Sequence, residues 1–171
     1  MGNRREARER AVQFLFQHDL NPLDNLEQDL LQFWYSQRTL AIVEEKKGMA
    51  RWGQPVELPP PSVEDLEVQL FADPLIYGVI EHRAELDELI QRHCTNWRLD
   101  RIATVDRNVM RLAVYEMLYR RDIPPAATIN EAVDIAKKFS TEDSGRFVNG
   151  ILDKVRDSIP RAPRDQTPLK P

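Results

Sequence analysis

The stretch Val109–Tyr119 constrains the fold of this 171-residue chain more than any other part of it. Its only charged residues are Arg111 and Glu116. A helix that is apolar on nearly all sides has to be enclosed by other elements. We therefore expect this stretch to form a central helix surrounded by further helices.

Apolar residues recur at helical spacing on both sides of this stretch, and no run alternates as a strand would. Further helices are predicted from Arg4 to Leu20, after Asn21-Pro22, from Ser62 onward and as a pair within Thr128–Val155. The sequence therefore predicts an all-α fold with about seven helices.

Capping residues and a proline predict where several helices begin and end. Thr128 with Glu131 fits a capping box, and Ser62 with Asp65 fits another helix start. Pro74 predicts a break or kink, because proline cannot donate a backbone hydrogen bond. Further N-terminal caps are expected at Thr104 and at Ser140 or Thr141.

Composition divides the chain into one domain and two irregular segments. Residues 1–158 are predicted to form a single domain, with a loop or mobile insertion at 44–62 that contains Gly48, Gly53 and Pro59 to Pro61. Residues 159–171 are rich in proline and poor in apolar residues, which predicts a disordered tail.

Motifs for catalysis, metal binding or membrane insertion are missing from the sequence. It contains no glycine-rich phosphate loop, no GxSxG and no HExxH. Cys94 is the single cysteine, and His82 and His93 are too far apart on their helix to form a metal pair. No apolar run approaches the roughly 18 residues of a membrane span, and the first 20 residues lack the features of a signal peptide. We expect no enzyme, no cofactor, no metal site and no membrane association.

The charges suggest a local basic surface on an acidic chain. The net charge is −4, from 24 Lys and Arg against 28 Asp and Glu, which argues against non-specific coating of nucleic acid. Arg4, Arg5, Arg8 and Arg10 nevertheless crowd the start of the first helix, where the helix dipole disfavours cations. The charge pattern alone leaves two interpretations open, a solvated terminus and a binding surface.

Four segments resemble the NusB transcription antitermination family, in order and at matching intervals. These segments are residues 4–15, 105–117, 129–139 and 142–154. The chain differs from the family pattern at the 44–62 insertion, at Phe16, where a tyrosine is expected, and in the run Ser144-Gly145-Arg146.

The resemblance implies a fold of two packed helix-bundle subdomains and a role in RNA binding. It implies a heterodimer with ribosomal protein S10 (NusE) that binds the boxA segment of nascent RNA. It also implies assembly into an antitermination complex on RNA polymerase in the cytoplasm, notably on ribosomal RNA operons. A homodimer is a further possibility within such a family.

The resemblance also implies the binding residues, and the chemistry of those residues is compatible with it. Arginines neutralise phosphates, aromatic rings stack on bases, and a carboxylate accepts hydrogen bonds from base amino groups. Arg146 is added because it lies beside Phe147. The predicted RNA-binding residues are Arg4, Arg5, Arg8, Phe16, Asp143, Arg146 and Phe147, and the predicted S10-binding residues are Asp100 and Asp106.

Alternative interpretations remain for these residues and for the whole chain. Without the resemblance, Asp143 is explained by stabilisation of a helix N-terminus and Phe147 by core packing. For the chain, the alternatives are an RNA-binding module related to ribosomal RNA methyltransferases and a protein-interaction scaffold that does not bind RNA.

Overall fold

Seven α-helices and no strands form the part of the chain that the computed structural model describes, residues 2–45 and 58–160. The all-α prediction with about seven helices is confirmed. The helices are α1 (Gly2–Leu20), α2 (Leu26–Glu45), α3 (Val63–Glu81), α4 (Arg83–His93), α5 (Thr104–Tyr119), α6 (Pro125–Phe139) and α7 (Glu142–Ser158), and a 3-10 turn (Leu99–Arg101) precedes α5.

The chain divides into two compact units between Asp73 and Pro74, inside α3. The predicted insertion at 44–62 and the predicted tail at 159–171 fall mostly outside the described residues. Of the insertion, residues 44 and 45 are the last of α2, and residues 58–62 precede α3 without regular secondary structure. The disorder predicted for both segments stays a prediction.

The first unit has a core of aliphatic and aromatic side chains from α1, α2 and the first part of α3. The rings of Phe14 and Phe33 meet edge to face at 5.4 Å between centroids, and Phe33 meets Trp34 at 5.2 Å. The indole N–H of Trp34 donates to Asp73 at 2.8 Å, which satisfies the polar atom of a largely buried ring.

The second unit is organised around α5, as the sequence predicts. Val109, Met110 and Val114 are fully or almost fully buried. The two charged residues within this apolar stretch are also buried, and each has a specific partner. Arg111 donates from Nε and Nη2 to the two carboxylate oxygens of Asp87, at 2.6 and 3.0 Å. Glu116 accepts a hydrogen bond from a hydroxyl group on α6 at 2.9 Å. Paired in this way, the two charges are tolerated inside the unit.

Two of the four predicted N-terminal caps are confirmed and two are wrong. Ser62 and Asp65 exchange hydrogen bonds of 2.9 and 3.1 Å between backbone N–H and side chain, and Thr141 caps α7. Thr104 is the first helical residue of α5 and makes no side-chain cap. Thr128 lies inside α6, because the helix begins earlier at Pro125, where proline fits the first turn. Its hydroxyl is the donor to Glu116.

Pro74 does not end its helix, since α3 continues to Glu81. A proline inside a helix costs about 3 kcal/mol. The residues that follow it, Leu75 and Ile76, are fully buried. Burial of two such side chains contributes about 3–6 kcal/mol, which is enough to offset the cost of the proline.

None of the helices described here has both the length and the apolar character needed to cross a membrane.

Candidate nucleic-acid interface

The arginines at the start of α1 have two different environments. Arg4 and Arg5 are exposed, whereas Arg8 is only 6% exposed. The guanidinium carbons of Arg4 and Arg8 lie 5.1 and 5.3 Å from the ring centre of Phe71 on α3, within cation–π range. Arg4 and Arg5 are therefore the two of these three arginines that are open to a ligand.

The two phenylalanines of α1 separate into a core residue and a surface residue. Phe14 is completely buried, and Phe16 is partly exposed. Stacking of a base on Phe16 stays a prediction, and the ring lacks the hydroxyl that a tyrosine would carry.

The start of α7 presents a charged pair beside a partly buried ring. The hydroxyl of Thr141 accepts the backbone N–H of Ser144 at 3.1 Å, which fixes the first turn. Arg146 donates to the carboxylate of Asp143, and the two side chains are 76% and 86% exposed. This hydrogen bond raises the pKa of the Arg146 guanidinium. Exposed ion pairs contribute little to stability, so a ligand can separate this one at low cost.

Phe147 lies at the border of the buried face of α7. Its neighbour Val148 is fully buried, as are Leu152 and Val155 one and two turns on, and Phe147 itself is partly exposed. This position suits both core packing and base stacking, so the two interpretations from the sequence remain.

Asp106 on α5 is mostly buried, and its side chain is hydrogen-bonded to the first turn of α7. The hydroxyl of Ser144 donates to its Oδ2 at 3.0 Å, while its Oδ1 is buried without a hydrogen-bond partner. Burial raises the pKa of Asp106, and the hydrogen bond from Ser144 partly opposes that shift. Sequence reasoning missed this link, because the 38-residue separation of the two positions carries no periodic signal.

Asp100, by contrast, is exposed in the 3-10 turn. Its carboxylate pairs with Arg98 at 2.9 Å, and its backbone carbonyl lies 3.5 Å from Nη1 of Arg107. A partner that carries basic groups can reach Asp100 directly, which is not true of Asp106.

The structure thus groups the predicted residues within each unit. In the first unit, Arg4 and Arg8 both contact the ring of Phe71, which sequence reasoning did not include among the binding residues. In the second unit, Asp143 and Arg146 form an ion pair. Ser144, which lies between them in the sequence, donates a hydrogen bond to Asp106. Gly150 on α7 has open space where a Cβ would be.

Metal-binding clusters are missing from the described ranges, where no group of three His, Cys, Asp or Glu side chains is suitably placed. The free thiol of Cys94 is buried, and that burial raises its pKa.

The described residues form an all-α protein with exposed arginines, partly exposed phenylalanine rings and an exposed carboxylate, which are types of side chain that proteins use to bind single-stranded RNA. The NusB family model matches residues 5–157. The chain belongs to the NusB family.

Individual relatives and solved structures agree with this assignment. The transcription antitermination protein NusB of Anaeromyxobacter dehalogenans is 43% identical over 95% of this chain and 96% of its own length. The structure of T. maritima NusB superimposes with a TM-score of 0.66 and 34% identity over 90% of each chain. A chain from the crystal structure of antitermination factors NusB and NusE in complex with dsRNA superimposes with the same TM-score and 26% identity, covering 93% of this chain and 99% of that chain.

Proposed function

We propose that the protein is a transcription antitermination factor that binds boxA-type single-stranded RNA together with ribosomal protein S10 (NusE) and so supports ribosomal RNA transcription. The observation that carries the proposal is the likeness, over 93% of the chain, to a protein solved with NusE and RNA. That RNA is double-stranded, whereas the exposed rings and the carboxylate of this chain suit unpaired bases, whose faces and edges are accessible.

The RNA surface is proposed to combine charge and stacking. Arg4 and Arg5 contact phosphates, because they are exposed at the start of α1. Phe16 and Phe147 offer partly exposed ring faces to bases. Arg8 contributes mainly through its contact with Phe71, since it is buried.

Sequence preference is proposed to come from Asp143 at the start of α7. A carboxylate repels phosphates but accepts hydrogen bonds from base amino groups. In the free protein Arg146 occupies this carboxylate. When a base replaces Arg146 there, the released guanidinium is free to reach a phosphate.

The S10 side is proposed to include Asp100 and Asp106 at the start of α5. Asp100 is exposed and suits direct contact with a basic partner. Asp106 is not directly accessible, but one of its oxygens is buried without a hydrogen-bond partner, and a donor from S10 would satisfy that oxygen if the side chains that cover Asp106 moved on binding.

We further propose that the protein acts by binding alone, in the cytoplasm, as part of an antitermination complex on RNA polymerase. The matched relatives are antitermination proteins, which supports a non-catalytic role. The match spans nearly the full length of those relatives, which favours the antitermination factor over a module of an RNA methyltransferase. A homodimer that hides either surface remains a second proposal for the free protein.

RNA titrations across salt concentrations test the proposal. The unaltered protein is mixed with boxA RNA and with a scrambled RNA of the same length, each with and without S10. We expect boxA to bind more tightly than the scrambled RNA, and S10 to increase the difference. Equal affinity for both RNAs in the presence of S10 would identify a scaffold, and turnover of the RNA would identify an enzyme.

A further inference from the structure

Phe71 is the residue in the first unit that brings two predicted RNA-binding arginines together. Arg4 and Arg8 lie one turn apart on α1, and their guanidinium carbons are 5.1 and 5.3 Å from the centre of the same ring. Phe71 is itself partly exposed, so the ring lies at the boundary between core and surface.

The spacing of the two arginines on α1 is by itself unfavourable. Like charges one turn apart on a helix repel each other, and Arg4 also lies in the first turn of α1, at the positive end of the helix dipole. The face of an aromatic ring carries partial negative charge and attracts guanidinium groups. Phe71 therefore supplies an attraction that holds the two cations close together.

A hydrogen bond aligns the start of α1 along the same face of α3. The side-chain amide of Asn3 donates to Glu67 at 2.5 Å, and Glu67 is one helical turn before Phe71. Asn3 and Arg4 are thus fixed against consecutive turns of α3. Within this arrangement Arg8 is buried and Arg4 is exposed.

From this geometry we propose that Phe71 is a positioning residue of the RNA surface, which holds Arg4 oriented for a phosphate before RNA arrives. An unrestrained arginine loses side-chain entropy when it binds, whereas a pre-oriented one loses less. Arg8, which is buried, packs against the same ring. Arg4 makes the contact with the phosphate. This inference rests on the RNA binding proposed above.

A double-mutant cycle on boxA RNA in the presence of S10 tests the proposal. Phe71→Leu removes the ring and keeps an apolar side chain, and Phe71→Tyr keeps the ring. Leu70→Ala is the matched control, because Leu70 is adjacent and 74% exposed. We expect Phe71→Leu to weaken RNA binding about three- to tenfold, and Phe71→Tyr and Leu70→Ala to leave it within about twofold.

The second arm of the cycle separates positioning from general support of the fold. In an Arg4→Gln background, Phe71→Leu is expected to weaken binding by no more than about twofold, because the arginine that it orients is gone. The same loss in both backgrounds, or no loss in the unaltered background, would overturn the positioning role alone. Absence of boxA binding by the unaltered protein would overturn the proposed function and this inference with it.

Discussion

At the residue scale, Arg8 shows how far the environments of neighbouring arginines can diverge. Its side chain is 6% exposed and contacts Phe71, whereas Arg4, one turn earlier, contacts the same ring from an exposed position. The stem of a buried arginine contributes packing as well as charge. We therefore expect Arg8 to matter for the fold and Arg4 for RNA.

Substitution of the two arginines by alanine separates these roles. Arg8→Ala is expected to lower the free energy of unfolding by about 1–3 kcal/mol through lost packing. Arg4→Ala is expected to change it by less than about 1 kcal/mol while weakening RNA binding. Urea denaturation and RNA titration of both variants check this, and an Arg8→Ala variant as stable as the unaltered protein contradicts it.

Asp143→Asn tests the carboxylate at the start of α7. The substitution keeps the size of the side chain but removes its charge, and its ion pair with Arg146 is too exposed to affect the fold strongly. We expect discrimination between boxA and altered RNAs to fall about tenfold, with the salt dependence of binding nearly unchanged. Parallel titrations of both RNAs measure this. An equal loss on boxA and on scrambled RNA would argue against base recognition.

Asp106→Asn tests the buried carboxylate of α5 through the pH dependence of stability. Burial raises the pKa of Asp106 above its ordinary value of 3.8, so the folded protein binds this proton more tightly than the unfolded chain does. The carboxylate therefore contributes less stability as pH rises through the raised pKa. We expect Asp106→Asn to be at least as stable as the unaltered protein at pH 7, and to lose this advantage as pH falls towards 3.8.

Urea denaturation of the unaltered protein and Asp106→Asn at neutral and acidic pH provides the measurement. A variant that is much less stable at pH 7 would show that the hydrogen bond from Ser144 needs the charged acceptor. Binding of S10 to the same variant reports separately on the proposed contact.

At the scale of elements, α3 and α5 make close contact in the second unit where a glycine meets a tyrosine. A Cβ built on Gly78 would overlap the ring of Tyr115. That ring has little freedom to move, because it stacks against Tyr119 at 5.0 Å, which in turn stacks against His82 at 4.4 Å. The stack of three rings thus depends on a residue without a side chain.

Two glycine substitutions provide a matched comparison. Gly78→Ala is expected to destabilise the protein by about 1–3 kcal/mol, because Tyr115 has to move. Gly150→Ala has open space around its new methyl group and is expected to be neutral or to stabilise α7 by up to about 1 kcal/mol. Thermal and urea denaturation of the two variants test the contrast, which equal effects would contradict.

Most helices of the fold were predictable because each has a periodic apolar face. The starts of α5 and α6 were less predictable, because Thr104 and Thr128 have the side chains of caps but are helical residues in the structure. Thr128 is engaged by Glu116 from α5, and local sequence carries no information about such a partner. Of the break or kink predicted at Pro74, the break does not occur for a similar reason, since burial of the following residues outweighs a local cost.

At the scale of the whole molecule, a net charge of −4 means that the proposed RNA binding has to depend on a few local cations. Each phosphate contact on single-stranded RNA adds about 0.7 to the slope of log affinity against log salt. We therefore expect the double substitution Arg4→Gln with Arg5→Gln to reduce the slope by about 1.4. Arg92→Gln is the control, because Arg92 is also exposed but pairs with Glu88. An unchanged slope in the double variant would remove both arginines from the RNA surface.

The sequence alone determined the helical architecture, the family and the types of side chain that are candidates for RNA binding. Helical periodicity defines which face of each helix is apolar, so the apolar stretch Val109–Tyr119 was placed at the centre of a bundle. These properties depend on residues a few positions apart in the chain.

Only the tertiary structure decided which partners the polar side chains have. It buried Arg8 against Phe71, 63 positions away along the chain, and joined Ser144 to Asp106 across 38 positions. Periodicity specifies the face that a helix buries, but not the side chains from other helices that cover it. Contacts between distant positions therefore showed that Arg8 is buried whereas Arg4 and Arg5 are exposed. They also showed that Phe71 contacts both Arg4 and Arg8.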